Sequence, residues 1–193
     1  MAAQVAGEPY YKEPAKPAPL LSIVALTYLD ALAGTPTNTC FIGPRWAYRD
    51  DGFDNRLPAF QPKADACVIS TLAPSRDWTF PELATTVFGV DVGKDVRRLG
   101  HLLIGYGHTM TLPQAEEMVE ATESGVKTGM RINGLGDFFF VETGDPEDPV
   151  SLGGVACGGP NWRACVYQLD GGSRWGTGVR LLLRDVDPSK LGL

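Results

Sequence analysis

Histidine is nearly missing from this 193-residue chain: there are two, His101 and His108, in no recognised ligand spacing. Four cysteines, Cys40, Cys67, Cys157 and Cys165, form no C-x-x-C pair, which removes the common zinc and dithiol motifs. Cys157 and Cys165 flank the turn Gly158-Gly159-Pro160-Asn161, but a regular hairpin sets Cys157 opposite a residue near Trp162, so a disulfide there requires an irregular loop. All four are expected as free structural thiols in a reducing compartment, with no metal and no cofactor. The glycine-rich nucleotide fingerprint and the P-loop pattern are absent, as are a serine nucleophile elbow and an assignable triad. No apolar run approaches the roughly 20 residues that span a bilayer. Basic charge is scarce: 17 Lys and Arg stand against 23 Asp and Glu, a net charge of -6. That balance argues against binding nucleic acid through bulk electrostatics and favours solubility.

What is present is enough to build a core, since 44% of residues are hydrophobic. The 23 Gly and 15 Pro divide the chain. Pro9, Pro14, Pro17 and Pro19 fall among Ala, Lys and Glu, and residues 1–19 read as an extended Pro-rich tail. Leu20 to Ala33, whose one charge is Asp30, is apolar almost all round and reads as a buried or partner-docking helix. Ala31-Leu32-Ala33 before Gly34 also resembles a signal-peptide cleavage site, but the preceding region is long, Pro-rich and carries Glu8 and Glu13. The expected location is cytoplasmic, with secretion as the alternative. Residues 34–66 read as an irregular arm containing Phe41, Trp46, Tyr48, Phe53 and Phe60. Those aromatics dock the arm onto its own domain or onto another subunit.

Residues 67–193 read as one α+β domain. Thr79-Phe80-Pro81-Glu82 and Thr111-Leu112-Pro113-Gln114 are capping boxes, each followed by a helical stripe: Phe80, Leu83, Ala84, Val87 and Phe88, then Leu112, Ala115, Met118, Val119 and Thr122. A helix over about residues 94–104 lies between them, so the helices occupy about residues 79–124. After Gly125 the period becomes two. Thr128 to Ile132, Phe138 to Glu142, Val150 to Ala156, Trp162 to Leu169 and Gly178 to Arg184 read as strands between Gly-rich turns. The expected fold is α+β: a three-helix segment followed by an antiparallel meander of about five strands over residues 128–184, an order compatible with a winged helix.

In a winged helix the third helix enters the major groove. Its outward positions here include Glu116, Glu117, Glu120 and Glu123, and like charge repels phosphate. A solvated face, or a basic protein partner, accounts for these acids better.

Ile104-Gly105-Tyr106-Gly107-His108-Thr109 resembles the Gly-Tyr-Gly-His-Thr segment of phage-type lysozymes. The resemblance covers six residues. It implies peptidoglycan cleavage by a Glu general acid roughly 10 to 15 residues upstream, where this chain offers Asp91 and Asp95 alone. The chain's own punctuation reads the hexapeptide as a turn between helices.

Trp162, Arg163, Tyr167, Arg174 and Trp175 gather in or beside the last strands, and with Trp46 and Tyr48 of the arm they are the candidate ligand or partner residues. They serve equally as sheet-covering core. The expected function is a non-enzymatic interaction or assembly module that contacts a protein partner, or itself, through residues 1–66. The alternatives are a small-substrate hydrolase and a DNA-binding regulator.

Overall fold

The computed structural model describes residues 19–191. The tail expected over residues 1–19 falls almost wholly outside them, and only its last residue is described. Among the described residues eleven strands are formed: β1 (Leu21–Leu29), β2 (Thr35–Pro36), β3 (Trp46–Arg49), β4 (Phe60–Gln61), β5 (Cys67–Pro74), β6 (Trp78–Thr79), β7 (Gly136–Glu142), β8 (Val150–Gly158), β9 (Asn161–Gln168), β10 (Arg174–Trp175) and β11 (Arg180–Arg184). Four α-helices accompany them: α1 (Gly52–Arg56), α2 (Phe80–Phe88), α3 (Val96–Gly105) and α4 (Leu112–Glu123).

Seven strands make one sheet in the order β1-β5-β11-β7-β8-β9-β3. Two neighbouring pairs, β11 with β7 and β3 with β9, are parallel, and the rest are antiparallel. This overturns the expected three helices followed by a five-stranded meander, and with it the winged-helix order. Three of the sheet's strands, β1, β3 and β5, precede α2, α3 and α4, and β3 comes from the arm. The expected helix at residues 20–33 is strand β1. An apolar run of that length fits a buried helix or a strand equally well by periodicity; Ile23, Val24, Thr27 and Tyr28 supply the β-branched and aromatic side chains that favour the pleated form. Thr128 to Ile132, expected as a strand, is a loop. Its alternation is overridden because Asp137 accepts a hydrogen bond from the Arg131 N–H at 3.0 Å, so the segment turns onto the sheet end instead of pairing along it.

The three main helices start where their caps dictate. Thr79 accepts from the Glu82 N–H while Glu82 reaches back to Thr79, and Thr111 and Gln114 do the same for α4. The Asp95 side chain accepts from the Arg98 N–H at the start of α3. In α2 the left-handed Gly89 closes the helix at φ 68°, a conformation that costs other residues strain.

The sheet is covered on both faces. Against one face lie α4 and the arm, with Ile69, Phe139, Val155, Trp162 and Leu182 pointing into Phe41, Phe53, Leu112 and Met118. Against the other lie α2 and α3, with Leu72, Phe140, Leu152 and Leu183 meeting Phe80, Leu83, Leu99 and Leu103. Odd residues of β7 face one core and even residues the other, so both faces of a central strand are apolar. Close packing at the centre requires glycine. A Cβ built on Gly153 would lie 2.5 Å from the Phe139 ring, and one on Gly154 would lie 2.9 Å from Phe138.

The arm is an excursion from the β1–β5 hairpin. The backbone bridge between Leu32 and Ala64 and the β2–β4 pair close its neck. Its far part crosses the α4 face and delivers β3 to the opposite edge of the sheet beside β9. Arg49 fastens it internally: Nε donates to the Cys40 carbonyl, and the two terminal nitrogens grip both Asp54 oxygens at 2.8 and 2.7 Å. The fork geometry is one that Lys does not reproduce.

Candidate functional site

The arm accounts for the acidic helix. Arg45 lies 3.1 Å from Glu120 and 3.3 Å from Glu123, Glu123 also accepts from Trp162 Nε1 at 3.0 Å, and Glu116 accepts the Phe41 N–H at 2.5 Å. Two of the four carboxylates, Glu120 and Glu123, thus meet a cation from the same chain. Burial raises the pKa of Glu116 above the ordinary carboxylate range, against the lowering effect of the Phe41 N–H.

Most of the candidate aromatic residues are packed. Trp162 is buried beneath the arm, and Trp46 packs on the same core with its ring 4.8 Å from that of Phe41. Trp175 sits among Phe138 at 4.9 Å, Phe80 at 5.6 Å and Trp78 at 6.3 Å, as part of the cover over the α2 face. Arg174 is exposed beside it on β10. Tyr48, Arg163 and Tyr167 lie elsewhere, on the part of the sheet around β9 and β3. Tyr48 and Arg163 are register partners, and Tyr167 touches Phe138 at 6.2 Å between ring centroids. The structure thus divides the seven candidates: three are core or core cover, one is solvated on a short strand, and three share an outward sheet surface. Partial burial and a hydrogen bond with Cys165 push the Tyr167 pKa up to about 12, so its hydroxyl stays protonated.

The thiols are structural in placement. All four cysteines are free, and three are buried. Burial, reinforced by Glu116, pushes the Cys40 pKa up to about 12, which suppresses the thiolate that nucleophilic or metal chemistry needs. Among the described residues no group of three His, Cys, Asp or Glu side chains is placed to hold a metal ion, and no helix is long and apolar enough to cross a membrane.

The two acids upstream of Gly105-Tyr106-Gly107-His108 have local roles. Asp95 caps α3, and Asp91 closes a turn by accepting from the Gly93 N–H at 2.8 Å. His108 is buried, with Nδ1 2.7 Å from the Arg184 carbonyl oxygen.

Sequence reasoning missed the feature that stands open. Strand β1 is an edge of the seven-stranded sheet, paired on one side with β5. A bulge at Val24 separates its first three residues from the regular stretch Ala25–Leu29. Val24, Leu26 and Tyr28 are 45%, 46% and 78% exposed, and no residue from Leu21 to Leu29 is charged. The lack of Lys, Glu or Pro in this run was the available signal, because soluble proteins ordinarily protect such an edge. The chain matches no protein-family model, no curated protein and no solved structure.

Proposed function

We propose that this protein is a non-enzymatic interaction module that associates with a second copy of itself through the free edge of β1. The observation that carries the reading is the regular, uncharged stretch Ala25–Leu29, which ends the sheet with Leu26 and Tyr28 turned to solvent. An edge strand presents a row of unpaired N–H and C=O groups, and another strand satisfies them by addition. A second copy suits this edge for two reasons. Two chains of net charge -6 repel overall, yet the pairing segments themselves bring no charge into contact. Antiparallel pairing about a two-fold axis also closes after two subunits, leaving no further β1 edge to propagate. The arm, by contrast, is committed to its own domain through Phe41 and Phe53, both buried, and the opposite sheet edge that it supplies, β3, is only four residues long and ends in the charged Arg49.

Sedimentation velocity tests the reading. The full chain is expected as a dimer at concentrations of about 10 to 100 μM, in the range of ordinary protein association. Leu26→Lys, at an exposed position, is expected to give a folded monomer. A parent chain that stays monomeric across this range, or a Leu26→Lys variant that remains dimeric, overturns the proposal.

A further inference from the structure

The carboxyl ends of β7 and β11 part company. The two strands are parallel neighbours over Asp137–Phe139 and Arg180–Leu182. Beyond that, the chain from His108 to Met110 runs between them: the Met110 N–H donates to the Phe140 carbonyl at 2.8 Å, and the Arg184 N–H donates to the His108 carbonyl at 3.5 Å. In open sheets with parallel strands, crevices form outside the carboxyl ends where neighbouring connections diverge. A cleft of about 310 Å³ opens at this point, bounded on its other side by arm residues 58–63.

The cleft has an apolar base and a rim of both charges. Met110 and Val141, each 2% exposed, line its depth. Lys63, Arg184 and Glu142 lie around it. Thr109 Oγ1 donates to Glu142 Oε1 at 2.7 Å and so orients the carboxylate. Arg184 engages Asp185 through Nε at 2.9 Å, and a guanidinium carries four further N–H groups. Lys63 is 3.5 Å from Asp65, with both side chains three-quarters exposed, a pairing that water competes with. An anion alone would meet Glu142, and a cation alone would meet Lys63 and Arg184. A volume at the lower end of the range for ligand sites fits a small molecule.

We propose that this cleft binds a small zwitterion with a short apolar body, the class to which aliphatic α-amino acids belong. The carboxylate sits with Arg184 and Lys63, the ammonium with Glu142, and the side chain over Met110 and Val141. Strand β5 separates the site from β1 in the sheet order, and the proposal stands independently of association there.

Titration of the full chain with L-leucine, followed by backbone amide chemical shifts, tests this directly. Saturable binding with a Kd of about 1 mM or tighter is expected, with shifts concentrated in residues 61–63, 109–111 and 141–144. 4-Methylpentanoate, which lacks the ammonium, and 3-methylbutylamine, which lacks the carboxylate, are each expected to bind at least about tenfold more weakly. Lys63→Gln, at an exposed position, and Arg184→Gln weaken leucine binding. Glu142→Gln weakens leucine but leaves 4-methylpentanoate binding as tightly as before or more so. The proposal is overturned if leucine does not saturate up to about 50 mM, if either analogue matches it, if the shifts map elsewhere, or if a folded Lys63→Gln protein binds leucine like the parent.

Discussion

Asp137 is fully buried at the start of β7, where Oδ2 accepts the Arg131 N–H and Oδ1 has no hydrogen-bond partner. Burial raises its pKa from 3.8 to about 7, outweighing the Arg131 N–H and the nearby Arg180 and Arg131 charges, which act to lower it. Because the folded value lies above the unfolded one, the contribution to stability is complete below about pH 4 and is lost as pH rises through 7. The parent is therefore expected to unfold at lower denaturant concentration at pH 8 than at pH 5. Asp137→Asn keeps an acceptor for Arg131 and removes the charge. It is expected to flatten this dependence and to exceed the parent at pH 8 by on the order of 2 kcal/mol. Urea titrations at pH 5, 6, 7 and 8 check both statements, and a mutant with the parent's slope would refute the assignment. Nothing in the pattern around residues 128–137 marks this acid as buried. Its position depends on β11, more than 40 residues later in the chain, lying alongside it.

At the scale of elements, β8 is the strand with least freedom to vary. Gly153→Ala would place a methyl group against the Phe139 ring, which is itself fixed between the sheet and α4. A loss of about 1 to 3 kcal/mol in thermal or chemical unfolding is expected, the usual cost of overpacking. Gly158, with open space around it, should accept the same change with less than about 1 kcal/mol of loss. Elements whose signals are local were legible in the sequence. The capping boxes at Thr79 and Thr111 form, and the turns after β7 and β8 lie where Gly144 and Gly159 adopt positive φ. Strands defined by distant partners were not. Leu21–Leu29 has apolar side chains on both faces because one end packs under α2 and the other lines the α4 side, which erases the alternation that would have identified it. Cys67–Pro74 is largely buried on both faces because it lies inside the sheet, so it shows no alternation. The candidate site suffered likewise: Trp162 and Trp175 have the composition of a binding patch, yet Trp162 is buried in one core and the half-buried Trp175 packs over the other.

At the scale of the whole molecule, the two apolar layers share one sheet, so neither can dissolve alone without exposing its other side. Phe53→Ala, in the arm layer, and Leu83→Ala, in the α2 layer, are each expected to cost about 3 to 5 kcal/mol. Each should lower a single cooperative transition when circular dichroism and tryptophan fluorescence are followed together. Two separated transitions in either variant would mean that the layers are independent.

The order of strands in the sheet has one more consequence. Strand β11 is made after every other strand of the sheet, yet it takes the third place, with β1 and β5 on one side and β7, β8, β9 and β3 on the other. Until Arg180–Arg184 have left the ribosome, the nascent chain holds two sub-sheets with a gap between them, each offering an unpaired strand to its neighbours. The arm already joins these halves, since it leaves from the β1–β5 side and ends beside β9. It can act as a tether that keeps the gap in register until β11 is made.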